Sequence, residues 1–194
     1  MRLVFIIISI FSFSFTSIAQ LDQGTWLVGG SGSFYAGKNK FSNDVQESEF
    51  DILNVALNPS LGYFLTEKLT LGLRLGYTKY KSESVPRGTS SNTNRFDFGP
   101  FVRYYLLPND RNFNLLFDAA YKPGLVWFAD SKERASRNML SLSAGTVVFF
   151  NTSVALEFLI GYYKQGEKIP DMIRMHNRER GLQTTIGLQF HLKK

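Results

Sequence analysis

Two histidines, sixteen carboxylates and no cysteine bound the chemistry open to this 194-residue chain. A hydroxyl nucleophile needs a neighbouring base, and the base here would have to be His176 or His191. His176 has Glu167, Asp171 and Glu179 near it in sequence but no serine at a fixed spacing, and His191 stands between Phe190 and Leu192 with no serine beside it. Asp118 and Glu157 form a second candidate, an acid–base pair if they share a pocket, but Arg74 and Arg103 make them counter-ions at least as readily. The missing cysteines exclude thiolate metal sites and disulfides, and the sequence has no glycine-rich phosphate loop. The expectation is a protein with no catalytic residue, no metal and no cofactor.

The elements that must position these charges are strands. Leu69 to Thr78 reads LTLGLRLGYT, with Leu69, Leu71, Leu73, Leu75 and Tyr77 alternating with Thr70, Gly72, Arg74, Gly76 and Thr78. A period of two puts the first set on one face of a strand, and ten residues at about 3.3 Å each can cross a tilted membrane wall. Periodicity and turn residues together predict eight strands, near 25–35, 51–64, 69–80, 95–106, 113–128, 137–150, 154–164 and 180–192. Short connections (65–68, 107–112, 151–153) alternate with mostly long polar ones (36–50, 81–94, 129–136, 165–179). An even strand count with that asymmetry suits an eight-stranded antiparallel transmembrane up-and-down β-barrel, with both chain ends on the periplasmic side.

On this phase the lipid face carries no Lys, Arg, Asp or Glu. The other face collects glycines, serines and six long charged residues, Arg74, Asp97, Arg103, Asp118, Lys122 and Glu157. An eight-stranded barrel is only wide enough for its interior to be filled by side chains, and charges in so narrow a space must pair. A polar, plugged interior is therefore expected rather than a pore. Pro59, Pro100 and Pro123 fall within strands, where the missing N–H calls for a bulge. The same alternation would also fit a soluble lipocalin-like ligand carrier with its apolar face turned inward.

Residues 1–19 begin with Arg2, continue through apolar Leu3–Phe15 and end in Ser17-Ile18-Ala19, the pattern of a cleaved signal peptide. Residues 20–194 then form one barrel domain, whose charge falls from +6 to +5 with the loss of Arg2. The positive excess makes no continuous basic stripe, and no nucleic-acid partner is expected.

The last strand, Thr185-Ile186-Gly187-Leu188-Gln189-Phe190-His191-Leu192, resembles the C-terminal signal by which the barrel-assembly machinery recognises its substrates, matched at Thr185, Gly187, Phe190 and Leu192. Lys193-Lys194 follow, where many such proteins end on an aromatic residue. As a whole the chain resembles the small outer-membrane β-barrel proteins, the OmpA/OmpX-like, porin-family group of Gram-negative bacteria such as the Bacteroidota. That resemblance implies residence in the outer membrane and dependence on the assembly machinery. Family members range from structural barrels to adhesins and a few enzymes. Those enzymes modify lipid A with a His, a Ser and a carboxylate, a set this chain does not present.

Functional signal remains in the loops. Lys79, Lys81 and Arg87 on one side, and Lys168, Arg174 and Arg178 on the other, suit contact with lipopolysaccharide phosphates, or serve as solvated loop charge. The expected protein is a monomer with a structural or surface-interaction role; an accessory subunit of an envelope or secretion complex is the alternative.

Overall fold

The computed structural model describes residues 21–42, 47–84, 90–108, 111–128, 134–168 and 176–193. The expected signal peptide, Arg87 and Arg174 lie outside them. Eight strands run in chain order: β1 (Trp26–Ser42), β2 (Glu47–Phe64), β3 (Leu69–Ser84), β4 (Ser90–Tyr105), β5 (Phe113–Phe128), β6 (Arg134–Phe149), β7 (Val154–Lys168) and β8 (His176–Leu192). Each pairs antiparallel with its neighbours, and β8 returns to β1, closing a barrel. The wall is staggered. Register partners followed from Trp26 run through Tyr63, Leu71, Val102, Ala119, Leu142 and Tyr162 to Leu182, ten residues before the Leu192 that itself pairs with Trp26. Such a stagger tilts the strands and lets the sheet close.

All eight expected strands are present, and most reach further toward the loop end. The long polar connections are largely hairpin ladder: β1 and β2 stay paired out to Ser42 and Glu47, and β7 and β8 out to Lys168 and His176. Beyond the apolar band both faces of a strand meet water, so no apolar period betrays it. The seam is the exception to this regular pairing. β1 and β8 share only the six residue pairs from Trp26–Leu192 to Ser31–Gly187, so β1 from Gly32 and β8 up to Ile186 have no ladder between them.

The prolines are absorbed without a bulge. The β2–β3 ladder skips Asn58 and Pro59 against Leu75 and Gly76, and the β4–β5 ladder skips Phe98–Pro100 against Tyr121–Pro123. Equal numbers are skipped on both strands, so the register survives each gap. Pro100 and Pro123 share one gap, and neither has an N–H to donate across it.

The apolar phase is the outer one. Leu57, Leu61, Leu71, Leu73, Phe98, Phe117, Leu142, Ile160 and Ile186 all stand exposed on the wall. This overturns the lipocalin-like alternative, because the charged and small residues fill the inside. Trp26 and Tyr63 pack edge-on at 5.1 Å between ring centroids near the turn end. They belong to the interfacial aromatics expected of a membrane barrel.

The short turns are held by side chains. Thr66 Oγ1 accepts from the amides of Lys68 and Leu69 at 3.2 and 3.1 Å, and Asn151 Oδ1 accepts from those of Ser153 and Val154, both at 2.8 Å. Before β1, Gly24 takes a φ of 88°, a left-handed turn conformation that favours glycine. This turn lets residues 21–25 fold under the barrel, where the Gly24 amide donates to Phe64 O at 2.9 Å and Leu21 is fully buried.

Candidate functional site: a layered barrel interior

Alternation sends every second side chain of each strand inward, and the register decides which of them meet. Asp118 on β5 sits at the centre of the first cluster. Arg74 on β3 donates to it with two nitrogens, Nη1 to Oδ1 at 2.9 Å and Nη2 to Oδ2 at 2.8 Å. Arg103 on β4 donates through Nε to Oδ2 at 3.0 Å and places Nη2 2.9 Å from Glu157 Oε2 on β7. Gln189 Nε2 on β8 donates to Glu157 as well. Phe101 lies beneath, its ring centroid 4.6 Å from the Arg74 guanidinium carbon, a cation–π contact.

A second cluster lies toward the loop end. Asp97 is flanked by Lys122 Nζ at 2.6 Å and Arg137 Nη1 at 2.5 Å. Arg137 also donates to Gln165 Oε1 at 2.5 Å, and Glu167 accepts from Arg95 Nε at 3.1 Å. All six charges expected to line the interior thus lie there, in two groups. Arg95, Arg137 and Glu167 join them, so that five cations face four carboxylates. Arg137 stands at the edge of its predicted strand, and its odd-numbered phase, shared with Ser141 and Ser143, was the signal that could have found it.

The interior is not polar throughout, which corrects the expectation of a wholly polar plug. Leu21, Leu27, Phe64, Tyr105, Leu116, Val147, Phe149 and Ala155 form a buried apolar layer at the turn end. Phe64 and Phe149 stand at strand ends, where a membrane barrel places aromatics at the interface, but they point inward and enclose His191, with ring centroids 5.8 and 5.3 Å from it. The alternation of β2 and β6 carries them on the inner phase. His191 therefore packs against aromatic rings, and its backbone N–H donates to Ser153 O at 2.7 Å.

Close packing extends to the glycines. A Cβ on Gly72 would come within 2.2 Å of Leu61 O and 2.6 Å of Phe101 Cε1, so only glycine leaves room for the ring under Arg74. Beside the first cluster about 70 Å³ remains free, bordered by Ser60, Arg74, Asp118, Lys122, Ser141 and Glu157, and beside the second about 250 Å³, bordered by Asn58, Asp97, Lys122, Arg137 and Gln183.

The outer-membrane protein OprG from Pseudomonas aeruginosa has a similar crystal structure, with a TM-score of 0.53 over 89% of this chain and 98% of that one at 11% identity. The fold is that of an outer-membrane β-barrel. No protein-family model matches the sequence. No curated protein sequence matches it either. The likeness at this identity is one of architecture, and the ion-pair clusters are described from this chain alone.

The remaining expected sites fall on the wall. In β8, Thr185 and Gly187 are on the inner phase, whereas Phe190 and Leu192 face outward; Phe190 pairs with both Val154 and Val28. Lys79 and Lys81 lie on the loop-end half of β3, and Lys81 pairs with Glu83. Lys168 ends β7, and Arg178 lies on β8 opposite Gly166; both are exposed.

Proposed function

We propose that this chain is an exported outer-membrane β-barrel with a structural or surface-interaction role, carrying neither an open pore nor a catalytic centre. One observation carries the reading: an apolar outer wall surrounds an interior filled by two ion-pair clusters above an apolar layer. An aqueous channel needs a continuous wet path, and an interior closed at the turn end by Phe64, Tyr105 and Leu116 does not supply one. The apolar wall needs hydrocarbon around it, since exposed apolar area on this scale is costly in water. The leader and the terminal signal Thr185, Gly187, Phe190 and Leu192 support export and delivery by the barrel-assembly machinery. The long hairpins then stand on the cell surface, with the chain ends in the periplasm.

Cell fractionation with heat-modifiable gel mobility tests the placement. The expected result is an outer-membrane band that migrates differently when unheated. Planar-bilayer recording tests the filled interior, and a stable conductance of porin size would overturn it. Gentle solubilisation should yield a monomer; a stoichiometric partner would favour an accessory subunit instead.

A further inference from the structure

The charges on the outside of the barrel are distributed unevenly near the loop end. On β1–β3 they are mixed: Lys38 pairs with Glu49 at 2.7 Å and Asp51 at 3.5 Å, and Lys81 with Glu83. On β6–β8 they are all cations. Register sets Leu142, Tyr162 and Leu182 in one outward row, Leu140, Lys164 and Arg180 in the next, and Asn138, Gly166 and Arg178 above it. Exposed Lys168 and Arg134 lie on the same outward phase. The acids of these strands turn inward, Glu167 toward Arg95 and Glu179 toward Tyr163 and Gln165. Among the described residues, none of the five outward cations has an ion-pair partner.

Lys164 and Arg180 are direct cross-strand partners. Like charges so placed repel and destabilise a ladder, unless an anion lies between them. Gly166 adds no side chain to the next row, where Asn138 Oδ1 lies 3.2 Å from the position a Cβ would take. The result is a groove of about 320 Å³ whose lining includes Tyr121, Leu140, Lys164, Lys168 and Arg178, with Arg180 beside it across the ladder from Lys164. Among the described residues Glu167 is the one carboxylate on that lining, and it is held by Arg95.

We propose that this groove binds the phosphate groups of the glycolipid that forms the outer leaflet. The proposal rests on the outer-membrane placement argued above. Lys164 stands one outward step, about 7 Å, beyond Tyr162 and the apolar band, the level at which headgroup phosphates meet acyl chains. Arg180 and Arg178 offer two-pronged donors to phosphate oxygens, Lys164 and Lys168 compact charges, and Leu182 and Leu142 face the chains below. Cations spread over three strands, about 10 Å across, exceed what a single phosphodiester engages and suit a headgroup with several phosphates.

The test compares K164Q/R180Q with the charge-matched control K38Q/K193Q, two exposed lysines paired with acids away from the groove, in full-length protein folded in non-ionic detergent. The probes are purified lipopolysaccharide, its dephosphorylated form and phosphatidylglycerol vesicles. Wild type and control should bind lipopolysaccharide alike, and K164Q/R180Q roughly ten- to thirtyfold more weakly, the weight of two surface cations. Dephosphorylation should weaken wild-type binding by a similar factor. Equal affinities of the two variants, no wild-type binding, or vesicles bound as tightly as lipopolysaccharide would each overturn the site. Heat-modifiable mobility verifies that each variant is folded. Fractionation of wild type separates the failures: a barrel in the outer membrane with unchanged variant affinity defeats the site alone, whereas a barrel located elsewhere defeats the placement and the site together.

Discussion

Arg74 and Asp118, on β3 and β5, meet inside the barrel in a bidentate pair with both N···O distances below 3 Å, although 44 residues separate them in the chain. Neither strand is the other's ladder neighbour. β4 lies between them and contributes Arg103 to the same carboxylate, so one buried acid ties three successive strands together.

Removing that acid leaves two guanidinium groups facing each other with one carboxylate fewer. Asp118→Asn should cost about 3 to 5 kcal/mol, the usual penalty for breaking a buried pair from one side. Urea unfolding of the bilayer-inserted protein measures the loss, and a change below about 1 kcal/mol would show that Glu157 and water compensate.

Phase along a strand predicts opposite outcomes for neighbours. Leu73→Arg places a cation on the apolar wall, at about 2 to 4 kcal/mol near mid-bilayer, and should block membrane folding. Arg74→Leu keeps that wall intact and leaves Asp118 paired with Arg103, so the barrel should still insert, with reduced stability. Folded yield in lipid vesicles distinguishes them, and equal yields would contradict the phase.

Phe64→Ala should destabilise the barrel by about 3 to 5 kcal/mol, as truncation of a fully buried ring does. Phe64 stacks on Tyr105 at 5.5 Å between centroids, and its backbone also holds the 21–25 segment. Leu21→Ala should loosen that segment at smaller cost. Proteolysis at the N-terminal end, monitored by mass spectrometry, reads the second effect.

The seam gives a local prediction. Seam-facing amides among the six paired rows of β1 and β8 should exchange with deuterium slowly, whereas the seam-facing amides of Gly32–Ala36 and Gln183–Ile186, which have no ladder between them, should exchange faster. Uniform protection along β1 would mean that the seam is closed over its full length.

Much of this fold was legible in the sequence because a sheet with unlike surroundings on its two sides demands alternation. LTLGLRLGYT carries that demand in ten residues, and the six interior charges follow from the same phase. Strand ends were less legible. Lys38 and Asp51 stand beyond the apolar band, where the wall meets water on both faces and alternation loses its meaning.

By itself the sequence determined the strand count and which side chains share a face of each strand, since these depend on neighbours along one strand; which face turns inward was settled by the closed barrel, with its apolar residues exposed on the wall. Tertiary structure alone decided what depends on register between strands. It joined Asp118 to Arg74 and Arg103, recruited Arg137 and Glu167, and turned Phe64 and Phe149 into an apolar layer around His191. It also aligned Lys164 with Arg180 on the outer wall. A shift of one residue in any ladder preserves the composition of the chain but exchanges inside for outside, so only the closed barrel specifies these partners.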